Sequence, residues 1–130
     1  MSWYIDGSAI LKLLISEKES IALAEFLDAP VKTSEISRVE VIRSLNRISP
    51  EKIADGQAAL SRFEMIPVNS SILILAENFP AAITLKSLDA LYFATVVFLN
   101  KTISGLITYD KAMIKNAKLL GIKVVSPGMK

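Results

Sequence analysis

The sequence predicts one α/β domain with a mainly parallel β-sheet and helices on both of its faces. Three observations carry that expectation. Short runs of β-branched and aromatic residues alternate with stretches in helical register from end to end, the pattern of successive β–α–β units. The chain holds 130 residues, enough for one hydrophobic core and too few for two, so a single domain spanning 1–130 is expected. Hydrophobic residues make up 52% and charged residues 22%, a balance that argues against a disordered chain.

The elements follow in order. Trp3-Tyr4-Ile5 reads as a short strand. From Ser8, the apolar residues Ala9 to Leu11 and Leu13 to Ile15 fall in helical spacing, and a second helix follows through Ile21, Leu23, Ala24, Phe26 and Leu27. Pro30 to Thr33 is a strand, and Ile36, Val39, Leu45 and Ile48 set a helix over 36–48. Residues 51–63 give another helix and Met65 to Val68 a third strand. Asn69 or Ser70 then caps a helix that runs to Phe79. Residues 86–99 are apolar on nearly every side, which predicts a buried helix. Ser104 to Thr108 is a strand, Lys111 to Leu120 a helix stopped by Gly121, and Lys123 to Val125 a last strand before Pro127.

Composition narrows the chemistry. With no Cys there is no disulfide framework, thiolate zinc site or cysteine nucleophile. With no His there are no imidazole ligands, no Ser-His-Asp triad and no histidine base. No apolar run reaches the length of a membrane span, and Met1 to Asp6 shows no secretory signal, so a cytoplasmic protein is expected. Net charge is only +2, but residues 101–130 hold six lysines against one acid, Asp110. Such a basic end suits a polyanion or is simply a solvated helix face.

Four acids stand in unusual places. Asp6 directly follows the first strand, and Asp110 comes just past the fourth. Ligands of parallel α/β sheets gather at those carboxyl ends, although each Asp also suits the N-cap of the helix after it. Glu40 closes Ser37-Arg38-Val39-Glu40, a literal S-x-x-E capping box. If the helix instead starts nearer Ser34, Glu40 lies more than a turn in and points toward the sheet end. Asp89 sits on the apolar helix, with no other charge after Lys86. An ionised carboxylate there is costly unless a cation, donors or the helix dipole neutralise it.

Clustered carboxylates repel one another and raise their pKa values unless a cation sits among them. With oxygen ligands only, that cation is hard, Mg²⁺ or Mn²⁺. It would activate water and neutralise charge developing on a phosphate. Ser8 and Thr108, each two residues from an acid, offer hydroxyls to orient these ligands or are plain turn residues.

These segments resemble the PIN domain family, specifically its VapC-type toxins, the ribonuclease half of prokaryotic toxin–antitoxin pairs. The likeness covers essentially the whole chain. It is carried by Tyr4-Ile5-Asp6-Gly7-Ser8-Ala9, Thr33-Ser34-Glu35-Ile36-Ser37-Arg38-Val39-Glu40-Val41, Leu85-Lys86-Ser87-Leu88-Asp89-Ala90-Leu91, and Leu106-Ile107-Thr108-Tyr109-Asp110 followed by Leu120 to Val125. The resemblance implies five parallel strands in the order 3-2-1-4-5. It also implies a Mg²⁺ or Mn²⁺ pocket formed by Asp6, Glu40, Asp89 and Asp110 for cleavage of RNA phosphodiesters. Thr108 would steady the last acid, Ser8 matches the serine two after the first, and Tyr92 stands where many relatives carry His. A homodimer and a cognate VapB-type antitoxin are implied as well. Lys111, Lys115 and Lys118 form one stripe on the helix after Asp110, expected to meet RNA phosphates.

Two other readings are weaker. A phosphoacceptor receiver domain needs an Asp at the end of a middle strand, yet Met65 to Val68 is followed by Asn69. A non-enzymatic partner-binding module would keep the pocket as a remnant, and the presence of all four acids argues against that decay.

Overall fold

The computed structural model describes residues 2–27 and 30–129. Five strands form one parallel sheet, β1 (Ser2–Ile5), β2 (Val31–Ser34), β3 (Glu64–Ile66), β4 (Ile103–Ile107) and β5 (Val124–Val125), in the order β3-β2-β1-β4-β5. Among the described residues seven α-helices connect them: α1 (Gly7–Leu11), α2 (Ser20–Phe26), α3 (Ile36–Ile48), α4 (Ile53–Leu60), α5 (Ser70–Glu77), α6 (Ser87–Leu99) and α7 (Lys111–Leu119). The strand order implied by the resemblance is the one observed.

The first strand lies at the centre of the sheet. Tyr4 is in register with Lys32 of β2 on one side and with Leu106 of β4 on the other. Neighbouring side chains along a strand point to opposite faces, and two cores result. Ile5 and Ile107 face α1 and α3, packing with Ala9, Ile10, Val41 and Leu45. Tyr4 and Leu106 face α6 and α7, packing with Tyr92, Phe93, Val96, Met113 and Ala117. Both faces of the central strands are covered, so their sequences read as nearly continuous apolar runs. They end where Asp6 and Thr108 emerge.

Several boundaries differ from the sequence reading, each for a local reason. The first helix stops at Leu11, because the N–H groups of Lys12, Leu13 and Leu14 turn back to carbonyls only three residues earlier. The apolar side chains of Leu13 to Ile15 still pack on the core, which is why they mimic a longer helix. The 51–63 helix is a 3₁₀ turn over Pro50–Lys52 followed by α4, ending at Leu60. Pairing of β3 ends at Ile66 because Pro67 has no N–H to donate. Asn69 is the N-cap of α5, accepting from the Ile72 amide at 3.0 Å. Gly121, at φ 69°, ends α7 in the left-handed conformation expected of it. The apolar helix α6 is less enclosed than expected, since Leu88 and Phe98 stay exposed at 45% and 47%. Among the described residues, no helix is long and apolar enough to cross a membrane.

Candidate functional site

Asp6 leaves the central strand and is 3% exposed. It is the N-cap of α1, its Oδ1 accepting the Ala9 amide and the Ser8 hydroxyl, both at 2.9 Å. Its Oδ2 accepts the hydroxyl of Thr108, so capping does not exhaust this carboxylate. Burial pushes its pKa up to about 6, against the pull of the Thr108, Ala9 and Ser8 donors, and the charge of Glu40 adds to the rise.

Thr108 is fully buried at the end of β4. Its Oγ1 also accepts the backbone N–H of Asp110 at 3.1 Å, and its carbonyl accepts the Ser126 hydroxyl at 2.5 Å. It therefore steadies the last acid through the backbone and the first acid through the side chain. Asp110 is the N-cap of α7, with Oδ1 receiving the amides of Ala112 at 2.8 Å and Met113 at 3.1 Å. That leaves its other oxygen without a hydrogen bond among the described residues.

Glu40 decides between its two readings. Glu35, not Ser37, occupies the N-cap of α3, and no capping box forms. Ser37 is a fully buried residue inside the helix, its hydroxyl 2.6 Å from that of Thr33, which donates to the Ile5 carbonyl at 2.6 Å. Glu40 thus lies in the second turn of α3. Its Oε1 accepts the hydroxyl of Tyr92 at 2.5 Å. Burial raises the Glu40 pKa, the Tyr92 bond opposes that, and the charges of Asp89 and Asp110 raise it further.

Asp89 stands in the first turn of α6, partly exposed and without a hydrogen-bond partner among the described residues. Burial and then Asp110 raise its pKa, with Lys86 pulling the other way. The four acids on four separate segments thus form one electrostatic neighbourhood, Asp6 coupled to Glu40 and Glu40 to both Asp89 and Asp110. Among the described residues, no three of them converge closely enough to grip an ion directly. In donor chemistry and charge the set fits a hard divalent cation, which would relieve the mutual repulsion and accept water in the remaining positions.

Two residues that matter here went unassigned in the sequence reading. A Cβ on Gly7 would run into the Glu40 carboxylate and sit 2.5 Å from the Tyr92 hydroxyl, so this position has room only for glycine. Tyr92, 1% exposed, is the partner of Glu40. The Gly7 signal was its place between Asp6 and Ser8, and the Tyr92 signal was the departure from His.

Lys111, Lys115 and Lys118 are exposed on α7, whose opposite face buries Met113, Asn116 and Ala117. Two surface grooves lie elsewhere. One of about 550 Å³ includes Leu13, Leu27, Ala58 and Phe63, and one of about 1160 Å³ includes Val39, Ile42, Phe63 and Met65. None of the four acids lines either groove.

Residues 3–119 match the family model described as PIN domain. Ribonuclease VapC35 of Mycobacterium tuberculosis is 33% identical over 96% of each chain. Ribonuclease VapC46 of the same species is 36% identical over 95% of this chain and 96% of its own. Among solved structures, a toxin–antitoxin complex from Klebsiella pneumoniae superposes with a TM-score of 0.77 at 23% identity, covering 97% of this chain and 98% of that one. Mycobacterium tuberculosis VapC20, described as a sarcin-ricin loop cleaving toxin, gives 0.75 at 20% identity over 97% of this chain and all of its own.

Proposed function

This chain belongs to the PIN domain family, in its VapC-type branch, and from that premise we propose that it is a metal-dependent endoribonuclease, the toxin of a toxin–antitoxin pair. The single observation that carries the metal-dependent part is the mutual electrostatic loading of Asp6, Glu40, Asp89 and Asp110. Full-length relatives named as ribonucleases support the nuclease reading.

In this reading Asp6, Asp89 and Asp110 would be the main residues holding the ion, with water between them and it where they stand too far apart, and Glu40 would hold a second ion or its water. Bound Mg²⁺ or Mn²⁺ supplies an activated water and neutralises charge on the scissile phosphate. The protein's own groups do the rest. Ser8, the Ala9 amide and Thr108 hold Asp6 in one orientation, as the amides of Ala112 and Met113 hold Asp110. Lys111, Lys115 and Lys118 bind backbone phosphates of the RNA along α7. No lysine has to act as a base. The likeness to a toxin–antitoxin complex supports a VapB-type antitoxin as partner, and a homodimer in the cytoplasm completes the reading.

The test is cleavage of a total RNA pool by antitoxin-free protein with Mg²⁺, Mn²⁺ or EDTA, beside Asp89→Asn. Discrete fragments that vanish with EDTA and with the variant are expected. Equal cleavage by wild type and variant would point to a contaminant. A folded wild-type protein that neither cleaves nor binds metal would be a partner-binding module on the same fold.

A further inference from the structure

We propose that Tyr92 sets which divalent cation the site accepts, by occupying one oxygen of Glu40 so that this residue offers a single oxygen to the metal. The inference rests on the metal-dependent reading above and concerns a residue outside the four acids.

The Tyr92 hydroxyl donates to Glu40 Oε1 at 2.5 Å, a charge-assisted bond made by a side chain only 1% exposed. The bond is held from several sides. Ser37 is a further polar neighbour of the Tyr92 hydroxyl. Ser37 is itself paired with Thr33, which is anchored on the Ile5 carbonyl of the central strand. Gly7, with no Cβ, leaves just enough space for the carboxylate and the phenol to meet. Glu40 Oε2 has no hydrogen-bond partner among the described residues.

Of the other acids, Asp6 and Asp110 are restricted by hydrogen bonds, while Asp89 keeps both oxygens without a hydrogen-bond partner among the described residues. Asp110 has Oδ1 committed to two amides, and both oxygens of Asp6 accept hydrogen bonds. A carboxylate that offers a single oxygen, as Glu40 and Asp110 do, suits a small octahedral ion that keeps several waters. Ca²⁺ is larger, takes six to eight oxygens and gains from carboxylates that bind through both. Removing the Tyr92 hydroxyl frees the second oxygen of Glu40 while the ring still fills the core.

Tyr92 is thus a positioning residue acting through Glu40, and its signature is a ratio of affinities. The Kd values of Mn²⁺ and Ca²⁺ are measured by calorimetry, without RNA, for wild type and Tyr92→Phe. Circular dichroism confirms that the variant is folded. The preference for Mn²⁺ over Ca²⁺ is expected to fall at least threefold in Tyr92→Phe. An unchanged ratio in Tyr92→Phe, with both affinities altered equally, would reduce Tyr92 to a packing residue and overturn the inference. Wild type that binds neither ion would instead remove the metal-dependent reading, and this inference with it.

Discussion

Thr108 joins the ends of two adjacent strands, its buried hydroxyl donating to Asp6 Oδ2 while the same oxygen accepts the Asp110 amide at 3.1 Å. Thr108→Val keeps the shape and removes both bonds. It leaves the Asp110 N–H and one Asp6 oxygen short of a partner, which costs about 1–3 kcal/mol. Urea unfolding should show that loss, with Thr108→Ser recovering most of it. A Val variant as stable as wild type would mean the hydroxyl contributes nothing net.

Asp6 predicts the pH dependence of stability in the absence of divalent cations. Burial raises its pKa from 3.8 to about 6. Between those values the native state keeps a proton that the unfolded chain has released, so stability falls as pH rises through the window. A shift of this size corresponds to a decline on the order of 3 kcal/mol. The contribution is fully present below the lower value and gone above the higher one. Glu40 and Asp89, whose pKa values are also raised, add in the same direction. Comparing urea unfolding at pH 4.5 and 7 isolates the effect, because Asp6→Asn should flatten the slope. Equal slopes for the two proteins would contradict the assignment.

Gly7→Ala should separate Tyr92 from Glu40. The new methyl would meet the Glu40 carboxylate, with Cδ at 2.9 Å and the Tyr92 hydroxyl at 2.5 Å. Both side chains must move, a form of overpacking that costs about 1–3 kcal/mol. Thermal unfolding checks this, and a variant with wild-type stability would show that Glu40 swings away freely.

The lysine stripe makes a prediction about salt. Each phosphate contact made by a lysine contributes about −0.7 to the slope of log K against log salt for single-stranded nucleic acid. Replacing Lys111, Lys115 and Lys118 by Ala should therefore weaken RNA binding by catalytically silent Asp89→Asn protein and make its slope shallower by about 2. An unchanged slope would place the RNA elsewhere.

Much of this was legible in the sequence, and the reasons differ by element. The central strands could be read because both their faces are covered, giving Tyr4-Ile5 and Leu106-Ile107 as unbroken apolar runs with a polar residue just beyond. For Asp6 and Asp110 the helix-capping reading is the one observed, and it does not compete with a ligand role, because capping engages one oxygen of each carboxylate. Glu40 could not be decided locally. Its S-x-x-E pattern is real, but Ser37 is drawn into the core by Thr33, four residues away on β2, and Glu40 by Tyr92, 52 residues away. No window of sequence contains that second competition. Leu88 and Phe98 misled in a different way, because apolar composition does not say which side of a helix is covered.

The order of the strands also has a consequence in time. The hydrogen bond between Thr108 and Asp6 spans 102 residues of chain, and β1 acquires its neighbour β4 only when residues 103–107 are in place. Synthesis proceeds from the N-terminus, so a partly made chain carries Asp6, Glu40 and Asp89 but neither Thr108 nor Asp110. Contacts between distant segments are among the slowest to form. The fourth acid joins the other three only after β4 is in place, so an unfinished chain lacks the complete set of carboxylates.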